Sequence, residues 1–326
     1  MESVHNNDNR NLADEAFHTR AFETAAERNA ASRLPPERRQ WMIDNLIVKY
    51  KVFEQGFEMI LANHMPVVGG SHAKGIVGAI LGSSRTGKSA ICRYYKALYP
   101  ATYDDEGEIF PVLHMTATVR MTPTEFADEL YKLTASRYSP KGGGMAAYVN
   151  NALHRLLRVR TQLLIIDDAQ YLFHGRADNG IPMFKLIKAI LDFKELSIML
   201  VGEERIDEYV HAIDAFDNRG YNSKTLLSLG SNGSDMKRFQ GLLGSIDKRL
   251  PFANRSGLDT PSIGEHMYRY SQGKVGRVMK ILQPAAYLAI NDGSSHILPE
   301  HLMRSVATRV RTGDDFDYFG YLRHVA

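Results

Sequence analysis

Residues 76–95 read IVGAILGSSRTGKSAICRYY: an apolar run, a loop of small residues, then the start of an amphipathic stretch. The loop at 82–89, GSSRTGKS, matches G-x-x-x-x-G-K-[ST], with Gly82, Gly87, Lys88 and Ser89 in the fixed places. The chemistry requires these residue types. Glycines let backbone N–H groups turn inward around phosphates. Lys88 brings a compact positive charge to the β- and γ-phosphates, Ser89 brings a hydroxyl to Mg2+, and the following helix aims its positive end at the anion. Set between a strand and a helix, Gly82, Ser83, Ser84, Arg85, Thr86, Gly87, Lys88, Ser89 and Ala90 form the expected nucleotide-binding set.

Such a loop needs carboxylates at the end of another strand, because Mg2+ prefers oxygen ligands. LLIIDDAQ at 163–170 supplies them. Asp167 reads as a ligand of Mg2+, direct or through water, and Asp168 as the acid that polarises the attacking water. Many ATPases place a glutamate there. An aspartate is one methylene shorter, which predicts slow turnover. No N-K-x-D sequence follows a later strand, so ATP is favoured over GTP.

Outward from the loop, apolar runs at 75–81, 109–115, 161–167 and 196–202 alternate with helical patterns at 88–99, 123–136, 145–159 and 181–194. Continuous apolar strands separated by helices predict an α/β fold whose parallel sheet is covered on both faces. Trp41 to His64 has helical spacing, 219–234 reads as a surface loop, and 261–308 is helical throughout. The first 35 residues are polar and broken by LPPERR at 34–39, which suggests a loosely attached helical arm or a mobile tail. These patterns divide the chain into an arm (1–40), an α/β core (41–250) and a helical lid with a tail (251–326).

The composition fits an ordered protein: 326 residues, 44% hydrophobic and 24% charged. No apolar run approaches the length of a membrane span, and the N-terminus lacks the apolar segment of a signal peptide. One cysteine, Cys92, allows no internal disulfide, so a reducing cytoplasm is expected. A net charge of +3 permits nucleic-acid binding without arguing for it.

LGSSRTGKSAICRYY, LLIIDDAQYL and MFKLIKAILDFKELSIMLVGEERI together resemble the AAA+ ATPases of DNA transposition, the TniB/TnsC family. YSQGKVGRVMKILQPAAYLAI (270–290) resembles that family's lid, so the likeness runs from about residue 40 to residue 308. It implies an AAA+ P-loop core with a small C-terminal all-α lid, binding ATP and Mg2+. It implies a site shared between subunits, with Arg249 of LLGSIDKRLPF reaching a neighbour's γ-phosphate and Arg277 contacting ATP from the lid. Arg249 has a second reading, as a helix C-terminal cation paired with the dipole. Related ATPases end the fourth strand in a polar sensor, and this chain departs from them with Gly202 and Glu203. Val48 and Tyr50 are candidates to flank the adenine.

The same likeness implies a bacterial, cytoplasmic ring or filament on double-stranded DNA. Candidate phosphate contacts are Thr118 and Arg120 in TATVRMTP (116–123), and Arg137 and Lys141 in ASRYSPKGGG (135–144). The implied function is a transposition regulator that loads on target DNA with ATP, recruits the transposase and disassembles on hydrolysis. Its upstream partner would be a target-selection protein of the TniQ or TnsD kind, CRISPR-linked or site-specific. Two alternatives stay open: an AAA+ ATPase of secretion or assembly with no DNA in its channel, and an ATP-binding switch that hardly hydrolyses.

Overall fold

The computed structural model describes residues 16–67, 70, 72, 74–135, 144–173, 181–193, 196–212, 216, 220–310 and 313–320. In chain order its elements are α1 (Ala25–Ser32), α2 (Pro36–Asp44), α3 (Lys51–His64), β1 (Val77–Leu81), α4 (Lys88–Ala97), β2 (Thr102–Asp104), β3 (Gly107–Ile109), β4 (Val112–Thr116), α5 (Pro123–Leu133) and α6 (Gly144–Arg158). There follow β5 (Leu163–Asp167), α7 (Ile181–Leu191), β6 (Ser197–Gly202), α8 (Arg205–His211), β7 (Asn222–Thr225), α9 (Gly233–Asp247), α10 (Pro261–Ser271), α11 (Val275–Asn291) and α12 (Pro299–Ala307). A short 3-10 turn, Ala169–Leu172, follows β5. The residues group into two compact units. The first is 51–84 with 88–227; the second runs up to Tyr50, takes in Arg85–Gly87, and resumes at Ser228.

The first unit is a parallel sheet in the order β4-β5-β6-β1-β7. Every residue of β1, β5 and β6 is buried. This is what their unbroken apolar runs require when helices cover both faces. Leu113 and Met115 of β4, Leu164 and Ile166 of β5, and Ile198 and Leu200 of β6 share one core with Phe126 and Leu130 of α5 and Leu153 and Leu156 of α6. Pro123 opens α5, and Thr122 and Glu125 cap it reciprocally.

Two elements differ from the sequence reading. The run at 109–115 is split by Pro111: Ile109 closes the β2–β3 hairpin and β4 starts at Val112. Within 219–234, Asn222–Thr225 forms the edge strand β7, although NSKT contains no apolar residue. Backbone pairing with β1 recruits it: Leu226 N–H donates to Leu81 O at 2.8 Å, and Asn63 of α3 donates its Nδ2 to Asn222 Oδ1 at 3.2 Å.

The second unit is helical. Phe239, Leu242, Leu243 and Ile246 of α9 pack with Val278, Ile281 and Leu282 of α11, Leu302 and Val306 of α12, and Ile43 of α2. The apolar face of α9 belongs to this core, and the second unit resumes at Ser228. The N-terminal segment is also part of it. Phe22 N–H donates to Lys248 O, and Ile47 N–H to His18 O. Arg28, 6% exposed, sends its guanidinium to the carbonyls of Asp247, Phe252 and Asn254, while Arg39 Nε reaches Pro251 O. Arg28 and Arg39 thus fasten the described part of the expected arm, residues 16–40, within this unit.

Candidate nucleotide site

The first unit brings the two sequence motifs to the carboxyl ends of β1 and β5, two strands of one parallel sheet. β6 lies between β1, which leads into the glycine loop, and β5, which ends in Asp167. In open parallel sheets ligands bind at this edge, where the strand order reverses. Gly82 N–H donates to Gly202 O at 3.1 Å, continuing the β1–β6 ladder beyond its last pair, Leu81 and Gly202. Gly82 has φ +143°, and a Cβ there would lie 2.6 Å from Leu226 O, so both backbone geometry and space demand glycine. Gly87 has φ +101°. α4 begins at Lys88, whose Nζ donates to Gly82 O at 2.6 Å and Ser83 O at 2.9 Å. Burial pushes the Lys88 ammonium below its ordinary range, opposed by the charges of Asp167 and Asp168.

Asp167 is buried at the end of β5. Burial works to raise its carboxyl, but His114, Ser89 and the Asp168 N–H outweigh it and hold it below the ordinary carboxylate range. His114 Nε2 of β4 stands 3.7 Å from Asp167 Oδ2, beyond hydrogen-bond reach. An ionised carboxylate beside a serine hydroxyl is a hard oxygen donor set, and it fits Mg2+. Among the described residues no group of three or more His, Cys, Asp or Glu side chains forms a metal cage. Few protein ligands are what a phosphate-bound Mg2+ uses.

Asp168 follows in the left-handed region, φ 54° and ψ 34°, with its N–H donated to Asp167 Oδ1 at 3.0 Å. Gln170 Nε2 donates to Asp168 Oδ1 at 3.2 Å, and Gln170 Oε1 accepts from Glu203 N–H at 3.3 Å. The Glu203 side chain is exposed, so its backbone N–H, not its carboxylate, makes this link at the end of β6.

Within the second unit, Arg249 is placed just past the end of α9. Its Nε donates to Thr19 O and its Nη1 to Ser245 O, both at 2.7 Å, and His18 Nε2 hydrogen-bonds to Arg249 O at 2.8 Å. Arg277, in the first turn of α11, donates to Gln272 Oε1 at 3.1 Å. Its neighbour Gly276 donates N–H to Arg85 O at 2.9 Å, an approach that a Cβ on Gly276 would obstruct. Tyr50 O–H donates to Thr86 O at 3.5 Å, with Tyr50 and Val48 packed against the helical core. Burial raises the Tyr50 phenol.

Of the DNA candidates, Thr118 and Arg120 are exposed at the tip of the loop after β4, where Met121 N–H closes a turn onto Thr118 O. Arg137 and Lys141 lie outside the described residues. Sequence reading missed three contributors. His114 could have been flagged as a polar residue inside an apolar strand. Gln170 stands in the acid motif itself. Gly276 gives no signal without knowing what approaches it.

Residues 72–225 match the family model of the bacterial TniB protein. They form a TniB domain. The TniB match takes in the glycine loop, Asp167, Asp168, Gln170 and the whole sheet, and stops at the last residue of β7; Arg249 and Arg277 lie beyond it. No curated protein matches the chain in sequence. Among solved structures, the Aeropyrum pernix ORC1 protein in complex with DNA aligns at 15% identity with a TM-score of 0.56, over 79% of this chain and 64% of its own. Cdc6p from Pyrobaculum aerophilum aligns at 18% and 0.52, over 80% and 68%. The A. pernix ORC2 protein in its ADPNP-ADP complexes aligns at 13% and 0.53, over 78% and 66%. At such identities the likeness concerns the fold: this chain has an AAA+ fold, as the sequence resemblance implies. It spans less than two thirds of the ORC1 chain. No helix among the described residues is long and apolar enough to cross a membrane.

Proposed function

We propose that this chain is an ATPase that regulates DNA transposition, assembling on double-stranded target DNA with ATP and leaving it after hydrolysis. One observation carries the reading: the glycine loop with Lys88 and the Asp167–Asp168 pair converge at the carboxyl ends of β1 and β5, inside a TniB domain. The loop N–H groups and Lys88 bind the phosphates of ATP, while Ser89 and Asp167 hold Mg2+. Held by Ser89 and Asp167, Mg2+ would supply positive charge against the phosphates. Asp168 orients the attacking water and draws on its proton. Arg277 contacts the nucleotide from its own chain, and Arg249 from a neighbouring subunit meets the charge that develops on the γ-phosphate.

Thr118 and Arg120, with Arg137 and Lys141, would contact the DNA backbone, which predicts weak sequence preference and steep salt dependence. The fold is compatible with both ligands, since the ORC1 structure holds DNA and the ORC2 structure ADPNP and ADP. The transposase and a target-selection protein of the TniQ or TnsD kind complete the proposed set of partners.

The deciding experiment measures ATP hydrolysis by the full chain with and without duplex DNA, alongside DNA binding between low and moderate salt. Duplex should stimulate turnover and bind in an ATP-dependent, salt-sensitive way. Lys88→Ala should lose ATP binding, whereas Asp168→Asn should keep it and hydrolyse at least about 100-fold more slowly. Hydrolysis indifferent to duplex, with no ATP-dependent DNA complex, would overturn the transposition reading and leave an AAA+ ATPase of another kind.

A further inference from the structure

Gln170 is 6% exposed and sits in the 3-10 turn directly after the acid pair. Its side chain makes two bonds that reach in opposite directions, one to the Asp168 carboxylate and one to the Glu203 N–H. The amide has one sensible orientation. A carboxylate cannot donate and a backbone N–H cannot accept, so exchanging the amide's ends would break both bonds. β6, meanwhile, ends in Gly202, and a Cβ on that residue would lie 2.0 Å from Gln170 Oε1. The last residue of β6 therefore brings no side chain of its own, and the Gln170 amide fills that space from the end of β5.

We propose that Gln170 is a positioning residue for hydrolysis: it ties the Asp168 carboxylate to the end of β6, supplying there the polar group that Gly202 lacks. This rests on the reading of Asp168 as the group that orients water. Asp168 is held in three ways: by its left-handed backbone, by the Asp167 carboxylate on its N–H, and by Gln170 on its Oδ1. Only the last fixes the carboxylate itself. An aspartate's reach is short, so the water it orients tolerates little rotation of that carboxylate. Gln170 touches neither the glycine loop nor Lys88 among the bonds it makes, so phosphate binding does not depend on it.

The test uses the full chain with Mg2+, ATP and duplex DNA, measuring kcat and, separately, ATP affinity with a fluorescent ATP analogue. Gln170→Met keeps the volume and removes both bonds. Its kcat should fall about 10- to 100-fold, the scale of a small misplacement of a reacting group. Its ATP affinity should stay within about threefold of wild type, as expected for an interaction made only on the way to the transition state. Gln170→Ala should lose a similar factor, and Gln170→Ala/Gly202→Asn, which places an amide at the end of β6, should recover at least about a third of the lost logarithm. A Gln170→Met variant within about twofold of wild type, or one that loses affinity in step with kcat, would overturn the proposal. Should the Met variant not fold, Gln170→Glu has the same shape but removes the donor; wild-type turnover in that variant would overturn it equally. A wild-type chain that binds ATP and never hydrolyses it would overturn the ATPase reading and this inference with it. An active wild type beside an equally active Met variant overturns the inference alone.

Discussion

His64 shows how one side chain can set the acid limit of the sheet unit. It is buried at the end of α3, with Nε2–H donated to Gln162 Oε1 at 3.0 Å and Nδ1 accepting from the Tyr95 hydroxyl at 2.9 Å. Both ring nitrogens are satisfied in the neutral form, and a second ring proton would require the Tyr95 hydroxyl to turn from donor to acceptor. Burial pushes its pKa down from 6.5 to about 4, against the raising effect of Gln162. The unfolded chain takes up a proton near pH 6.5 that the folded chain refuses until about pH 4. Stability is therefore complete above the unfolded value and is lost as pH falls from about 6.5 to 4, by about 3 kcal/mol in total. Urea unfolding of wild type and His64→Gln across that range checks this. The variant should start less stable and depend less on pH. If its stability falls as steeply as wild type's, His64 is not the group responsible.

At the scale of elements, a buried guanidinium joins the N-terminal segment to the end of α9. Arg28 of α1 bonds three carbonyls between Asp247 and Asn254. In the same turn the fully buried Asp247 carboxylate accepts N–H bonds from Ser256, Gly257 and Leu258. Carbonyls past a helix end need donors, and here a side chain from more than 200 residues away supplies them. Arg28→Ala leaves them unpaired and should cost about 2–3 kcal/mol, the range for hydrogen bonds to a charged group. Arg28→Lys keeps the charge without the fork and should fall between the two. Chemical denaturation followed through the helical unit measures both, and an Ala variant as stable as wild type would mean the clamp carries no weight. This clamp also marks the limit of what the sequence discloses. β1, β5 and β6 were legible because a strand covered on both faces must be apolar throughout. The glycine loop and Asp167–Asp168 were legible because phosphate and Mg2+ restrict the residue types allowed. β7 was not, since NSKT joins the sheet by backbone bonds that any sequence can make. Arg28 and Gln170 were not, since a polar letter does not reveal that it will be buried against a distant carbonyl or carboxylate.

At the scale of the whole molecule the question is whether one chain contains the complete site. Arg249, proposed to act on a neighbour, is engaged in the helical unit through the carbonyls of Thr19 and Ser245. Burial lowers its pKa, with Glu23 opposing, and a guanidinium so lowered is still charged at neutral pH. The bonds to those two carbonyls use Nε and Nη1 and orient the fork, leaving Nη2 to meet a neighbour's phosphate, so its proposed action is tied to assembly. Mixing two inactive variants separates action in trans from action in cis. Arg249→Ala subunits keep Lys88 and Asp168; Asp168→Asn subunits keep Arg249. In a head-to-tail assembly each interface draws its nucleotide site from one subunit and its arginine from the next. An equal mixture then has about one interface in four with both groups intact, and should recover about a quarter of the wild-type rate. The recovery should vanish on dilution below the assembly concentration and return with added duplex. If Arg249 acts within its own chain, or only fastens Thr19 to α9, no interface in the mixture is complete, and the mixed rate will not exceed that of the variants measured alone.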